Sequence, residues 1–207
     1  MTRAPLWLRL GYTAWIAVWI WEYGTYYGPT AFLWFCDLGN LQILAGLWTG
    51  RALFFSWAAV SVLLVQVLWC IDVLGRLLLG VHLIGGTGYM WNPEIPLDIR
   101  LISLFHAAAP ALLVWGLRRH GYDRRALKLQ VATAWVWLPF CWLVTPPVKD
   151  INWVYGLFDR VQTQVPGWLF LLACMAGYPL LLYVPTHLLL RQLFRDPAQR
   201  PPEQRST

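Results

Sequence analysis

The residues of this sequence best suited to chemistry are ionisable side chains inside long apolar runs. Asp37 and His106 each lie within such a run. Ionisable groups inside membrane helices are costly and are functional candidates by default. If the two meet, Asp37 fixes the tautomer of the His106 imidazole, and its second nitrogen activates water or a hydroxyl as a general base. Asn40 would then donate to the developing oxyanion.

Four residues around Asp37 predict one face of a helix. Thr30, Trp34, Asp37 and Asn40 recur at spacings of four, three and three. Helical residues three or four apart share a face, so we expect this column to look into the protein. Thr30 is a candidate nucleophile and Trp34 a candidate substrate contact.

The surroundings of His106 predict a second part of the same site. Ser103 lies three residues before His106, and Pro110 lies four residues after it. A proline removes the hydrogen bond to the carbonyl four residues earlier, so the His106 carbonyl should be free. We expect Ser103 to contact the substrate.

Three further residues are candidate substrate contacts in or near the predicted outer connections: Asp72, His82 and Trp153. The glycine run at residues 85–88 matches no nucleotide-binding fingerprint and predicts a flexible turn. His82, His106, Asp37 and Asp72 are metal-ligand types, but they lack metal-site spacing. We therefore expect no metal and no cofactor, although a metal among these four residues remains an alternative.

Composition indicates a membrane protein. Of 207 residues, 58% are hydrophobic and only 13% are charged, and 15 are tryptophan. This combination excludes an ordinary soluble domain and predicts an all-α, polytopic membrane helix bundle. The four cysteines lie in apolar runs and should be buried thiols. The basic residues lie at the ends of apolar runs, which is a topology signal rather than a sign of nucleic-acid binding.

The apolar runs predict about six transmembrane helices of the length a bilayer needs. They form a single bundle over residues 1–190, with a polar tail over residues 191–207. The first run lacks a cleavage site and is expected to be retained. Residues 146–167 should include a short interfacial helix. The predicted helices span residues 5–24, 30–48, 52–75, 97–117, 129–146 and 168–190.

The distribution of basic residues predicts the orientation. With a cytoplasmic N-terminus, twelve of the 16 Lys and Arg residues fall on the inner side. The positive-inside rule then places both termini in the cytoplasm. We expect a bacterial inner membrane protein whose polar site opens towards the outer leaflet.

Three stretches resemble the androgen-induced transmembrane hydrolases of fatty-acid esters of hydroxy fatty acids. They are residues 27–40 (YGPTAFLWFCDLGN), 105–110 (FHAAAP) and 153–168 (WVYGLFDRVQTQVPGW). The resemblance implies a six-helix membrane fold and a threonine nucleophile with a histidine. It matches His106 to the family histidine and Asp37 to the acidic residue that follows the threonine.

This sequence departs from the family at the nucleophile, because Trp34 stands at the threonine position. Either Thr30, one turn earlier, replaces that threonine, or His106 and Asp37 activate water directly.

Three function classes follow. The first is a lipid-directed hydrolase or acyl-transfer enzyme whose substrate enters from the outer leaflet, with membrane lipids as partners. The second is a non-catalytic binding or assembly subunit. The third is a transporter or proton-coupled carrier, which would need a continuous polar path across the bundle.

Overall fold

The protein, described by a computed structural model over residues 3–158 and 160–194, is helical apart from one short pair of strands in those ranges. The predicted polar tail lies outside the described residues from position 195 onward. The long helices described are α1 (Leu6–Tyr27), α2 (Phe35–Thr49), α3 (Ala52–Leu79), α4 (Leu97–His120), α5 (Arg125–Val144) and α6 (Gly167–Leu193). The strands β1 (Gly156–Leu157) and β2 (Arg160–Val161) pair antiparallel.

The long helices confirm an all-helical protein with membrane-spanning character. By length and composition, α3, α4, α5 and α6 can cross a membrane. Helix α1 has the length, but its many tryptophans and tyrosines lower its hydropathy. Helix α2 has 15 residues, about 22 Å at 1.5 Å per residue, which is shorter than a hydrocarbon core of about 30 Å. Of the six predicted crossings, four are therefore supported.

Helix boundaries agree with the predicted ones to about one turn, except at the start of α2. The predicted start is residue 30, whereas Pro29–Leu33 forms a 3-10 turn and Trp34 is extended before α2 begins at Phe35. The side chain of Asn152 holds this break. Its Oδ1 accepts from the Phe35 N–H at 2.8 Å, and its Nδ2 donates to the Leu33 carbonyl at 2.8 Å. A distant contact therefore overrides the local helical pattern.

Phe55 lies where α2, α3 and α4 meet, and it is fully buried. Glycines let the neighbouring helices approach it: a Cβ on Gly46 would lie 2.9 Å from its ring, and one on Gly116 would lie 2.4 Å away. Small residues at such crossings are typical of helix packing in membranes. Phe55 also stacks on His120 with a centroid distance of 5.3 Å, which places the start of α3 beside the end of α4.

We call this end of the bundle the arginine end; it comprises residues 50–51 and 118–125. Its connection from α4 to α5 is tied to two other helices. The Tyr122 hydroxyl is hydrogen-bonded to Nδ1 of His187 on α6 at 2.6 Å, and the Asp123 N–H donates to Oγ of Ser56 on α3 at 2.9 Å.

We call the opposite end the loop end; it comprises residues 28–34, 80–96 and 145–166. Two of its segments touch: a Cβ on Gly86 would lie 3.5 Å from the Trp153 ring. The interfacial helix predicted within residues 146–167 is wrong, because the described residues there form the 3-10 turns Pro147–Lys149 and Ile151–Trp153 and the strand pair. Left-handed backbone at Asp150 and Asn152 prevents a continuous helix.

Candidate functional site

The predicted hydrogen bond between His106 and Asp37 is not formed. Nδ1 of His106 lies 2.8 Å from the carbonyl oxygen of Ser103 on its own helix. Oδ1 of Asp37 has only a weak contact with the Cys36 thiol at 3.9 Å, and Oδ2 has no partner among the described residues. The structure therefore gives each of these two residues a separate environment.

The neighbours of His106 are mainly aromatic. Its ring stacks on Trp69 with a centroid distance of 5.0 Å, and the Trp69 indole N–H donates to the Tyr89 hydroxyl at 3.1 Å. Tyr89 also contacts the Ser103 side chain, and burial raises the pKa of Tyr89 to about 12. Ser103 thus contributes to a packed aromatic cluster around His106. The His106 carbonyl, which Pro110 leaves without its helical donor, accepts from the Cys70 thiol at 3.6 Å.

Asp37 and Asn40 are buried on α2, 2% and 0% exposed. The Tyr12 hydroxyl donates to Oδ1 of Asn40 at 3.3 Å, while the Asn40 amide nitrogen has no partner among the described residues. The Tyr23 hydroxyl lies close enough to Asp37 to interact with it electrostatically. The Asn40 side chain therefore faces α1.

Thr30 and Trp34 do not continue the face that carries Asp37. The extended backbone at Trp34 separates Thr30 from the helix that carries Asp37 and Asn40. The predicted column of four residues on one helical face is therefore wrong. Thr30 instead accepts a hydrogen bond from Nζ of Lys149 at 2.8 Å, at the loop end. Trp34 packs against the hydrophobic core. Thr30 consequently does not share a helical face with Asp37, which was the basis for expecting it to replace the missing nucleophile.

Among the described residues, His82 and Asp72 are a histidine and a carboxylate that do meet. Nδ1 of His82 lies 2.9 Å from Oδ2 of Asp72, which is fully buried near the end of α3. A carboxylate can only accept, so Nδ1 donates this hydrogen bond, and in the neutral form of the imidazole Nε2 is the acceptor. The Thr87 hydroxyl also donates to Oδ2 of Asp72, and it lies 3.1 Å from Nδ1 of His82.

The glycine-containing turn after α3 is closed by the same carboxylate. The N–H groups of Ile84 and Gly85 donate to Oδ1 of Asp72 at 2.6 and 2.9 Å. Gly85 and Gly86 have positive φ, at 100° and 84°, which glycine adopts readily. Successive N–H groups in such a turn form an anion-binding concavity. Here a carboxylate of the protein fills it, so the turn is fixed rather than flexible.

The far side of the His82 ring reaches the surface. Its side chain is 31% exposed, and in the described ranges Nε2 has no hydrogen-bond partner. Trp91 meets the ring edge-on at 5.4 Å. Trp153 lies over the adjacent Gly86 and packs on Phe158 at 5.3 Å. Trp153 thus covers the turn that carries His82, without a described contact to the imidazole.

Metal-binding geometry is absent from the described residues, which bring together no group of three His, Cys, Asp or Glu side chains. The four possible ligands fall into different environments: His82 pairs with Asp72, whereas His106 and Asp37 have other neighbours.

Asp72 and His82 were predicted as separate substrate contacts, and their pairing was not predicted. The available signal was a carboxylate in the last turns of an apolar run, followed within 15 residues by histidine, glycines and Thr87. Asn152 was missed, since nothing near it in sequence marks its role.

Comparisons with protein-family models, with curated proteins and with solved structures found no match to this chain.

Proposed function

We propose that the protein is an integral membrane enzyme that hydrolyses or transfers lipid acyl esters at its loop end, with His82 as general base and Asp72 as its positioning residue. The observation that carries this proposal is the 2.9 Å contact between Nδ1 of His82 and the buried Asp72 carboxylate. Functional sites need such a second group to set the tautomer and orientation of the base.

The chemistry follows from the two ring nitrogens of the imidazole. Nε2 takes a proton from water or a lipid hydroxyl as that oxygen attacks the ester carbonyl. The resulting imidazolium is stabilised by Asp72 and returns the proton to the departing alkoxide oxygen. The ester bond breaks, and the products are an acid or a new ester and an alcohol, so the step consumes no oxidant or reductant.

A lipid substrate suits the position of the pair. Asp72 lies near the end of a helix long and apolar enough to cross a membrane, and the His82 ring is accessible beside Trp91. Tryptophan is typical of the membrane–water interface, where lipid esters lie. With both termini cytoplasmic, as the basic residues predict, this end faces the outer leaflet of a bacterial inner membrane.

The test is turnover of an ester lipid by the purified full-length chain in mixed micelles. We expect His82→Gln and Asp72→Asn each to lower kcat by about 10²–10⁴-fold, the usual contribution of a general base. His106→Gln serves as the matched control and should retain turnover. Full turnover by His82→Gln would exclude the proposal, and loss in His106→Gln alone would restore the pair predicted from sequence.

A second candidate is a non-catalytic binding or assembly subunit. It is favoured by the contacts of Asp72 with Ile84, Gly85 and Thr87, which would hold the turn whatever the role of His82. In that case Asp72→Asn lowers the thermal stability, whereas His82→Gln changes no turnover because the wild-type protein has none.

A further inference from the structure

Two buried carboxyl groups, one on α2 and one on α3, differ in the donors that surround them. Asp37 is 2% exposed and Asp72 is 0% exposed. Asp72 accepts hydrogen bonds from two backbone N–H groups, a hydroxyl and an imidazole. Asp37 has only the Cys36 thiol, at 3.9 Å, among the described residues. The Asn40 amide nitrogen, three residues further along α2, is buried without a described partner and so does not donate to Asp37.

The neighbours of Asp37 supply no positive charge. In the described ranges, no lysine or arginine lies within electrostatic range of its carboxyl. The titratable groups within range are the Cys36 thiol on α2 and the Tyr23 hydroxyl on α1, which are both neutral at neutral pH. On α3 and α4, Cys70 and His106 are hydrogen-bonded to backbone carbonyls of α4. Asp37 is therefore a buried acid without an ionic partner in the part of the chain that the structure describes.

The protonation state of a buried carboxyl depends on such partners. Moving an unpaired charge out of water costs so much free energy that the group takes up a proton instead. The first turn of α2 offsets only part of this cost, because a helix terminus carries about half an elementary charge. The neutral acid is therefore the form that suits the surroundings of Asp37, whereas the carboxylate suits those of Asp72.

Tyrosine hydroxyls connect Asp37 to the loop end. Tyr23 is half-buried, and it lies within electrostatic range of Asp37, Tyr27 and Tyr89. The rings of Tyr23 and Tyr27 are 4.8 Å apart, and Tyr27 is the last residue of α1. Tyr89 belongs to the loop end itself. A hydroxyl both donates and accepts hydrogen bonds, so these side chains can pass a proton between the surface and the carboxyl.

We propose that Asp37 is a proton-binding site between α1 and α2, protonated at neutral pH, which exchanges its proton with water at the loop end through the Tyr23 hydroxyl. Uptake forms one O–H bond on the carboxyl and converts the hydronium that supplies the proton into water. The site is separate from His82 and does not depend on the proposed enzymatic activity. It gives the protein a group that binds a proton from the loop-end side.

The first test is infrared spectroscopy of the full-length protein at neutral pH, in a detergent without ester groups. A protonated carboxyl has a carbonyl-stretch band that a carboxylate lacks, and this band shifts in D₂O. We expect Asp37→Asn to lose one such band and Asp72→Asn, the matched control, to retain it. A band that persists in Asp37→Asn would overturn the proposal, and so would an equal loss in both variants.

The second test compares the stability of the same two variants. Asparagine has nearly the shape of the neutral acid, so Asp37→Asn should unfold at or above the wild-type temperature at neutral pH. Asp72→Asn should unfold below it, because it removes a charged acceptor of several hydrogen bonds. Equal losses of stability in both variants would mean that Asp37 is a stabilising carboxylate, which would overturn the proposal.

The third test follows the route of the proton. After transfer into D₂O, the Asp37 band shifts at the rate at which its proton exchanges. We expect Tyr23→Phe to slow that shift by about 10²-fold, the lower end of what a positioned proton-transfer group contributes. Tyr12→Phe removes another hydroxyl of α1, one that is bonded to Asn40, and should leave the rate unchanged. Equal rates in all three proteins, or equal slowing in both variants, would overturn the route through Tyr23.

Discussion

Asn152 holds the first residue of α2, Phe35, by a 2.8 Å hydrogen bond between residues 117 positions apart in sequence. The same amide donates to the Leu33 carbonyl. One side chain from the loop end therefore satisfies the peptide groups on both sides of Trp34, and it is itself only 3% exposed. The start of α2 depends on this contact.

Removing the Asn152 amide should destabilise the protein. Asn152→Ala removes the acceptor of the Phe35 N–H and one donor to the Leu33 carbonyl. It also places alanine at φ 54°. We expect a loss of about 2 kcal/mol or more in the free energy of unfolding. Thermal unfolding in detergent measures it. Asn92→Ala is the control, because Asn92 makes only an exposed local bond to the Glu94 N–H. Equal shifts for both variants would contradict the role given to Asn152.

Removing the Asp72 carboxylate should release the turn after α3. Asp72→Ala takes away the acceptor of the Ile84 and Gly85 N–H groups. We expect amide hydrogen exchange in residues 80–88 to accelerate by about ten- to a hundredfold, since bonds to charged groups contribute most. Asp98→Ala, an exposed carboxyl on α4, should leave that exchange unchanged. Protection that persists in Asp72→Ala would show that the turn is held by other contacts.

The stability of the arginine end should fall at acid pH through Asp123. Its hydrogen bonds with Arg125 hold the pKa of Asp123 below its ordinary value of 3.8. A carboxyl with a lowered folded-state pKa contributes stability above the unfolded value, and the contribution disappears as pH falls through the folded value. We expect Asp123→Asn to unfold at a lower temperature than wild type at pH 6, with the difference shrinking below pH 4.

The matching control for that pH series is Glu94→Gln, an exposed carboxyl at the loop end. A difference in unfolding temperature between wild type and Asp123→Asn that stays constant from pH 6 to pH 3 would mean that Asp123 acts through its shape rather than its charge.

Close packing around Phe55 should make Gly116 intolerant of a larger side chain. A methyl group there would lie 2.4 Å from the ring of Phe55. We expect Gly116→Ala to cost about 1–3 kcal/mol, because overpacking outweighs the roughly 1 kcal/mol that alanine contributes in a helix. Gly11 on α1 has open space around its Cβ position. Gly11→Ala should therefore be neutral or slightly stabilising in the same unfolding assay, and a stabilised Gly116→Ala would show that α3 and α4 can separate freely.

The helical fold was predictable because it depends on local composition. Apolar runs of about 20 residues have few alternatives to a membrane helix, and these runs gave helices close to their expected bounds. The start of α2 was not predictable in the same way. Its local sequence favours a helix from residue 30, and the contact that prevents it comes from Asn152.

The candidate site was only partly predictable for a similar reason. Depth within the helices suggested that His106 would meet Asp37, but the nearest acceptor for His106 is the Ser103 carbonyl on its own helix. Asp72 and His82 are ten positions apart and meet because the chain turns back directly after α3. Residue spacing predicts which side chains share a face of one helix. It does not predict which residues meet when the chain turns back after that helix.

The late start of α2 has a consequence for the isolated carboxyl of Asp37. Because the helix begins at Phe35, Asp37 lies in its first turn. The unpaired N–H groups at a helix N-terminus carry a partial positive charge, which attracts negative charge placed there. The break at Trp34 therefore brings the positive end of the α2 dipole to the depth of this buried acid.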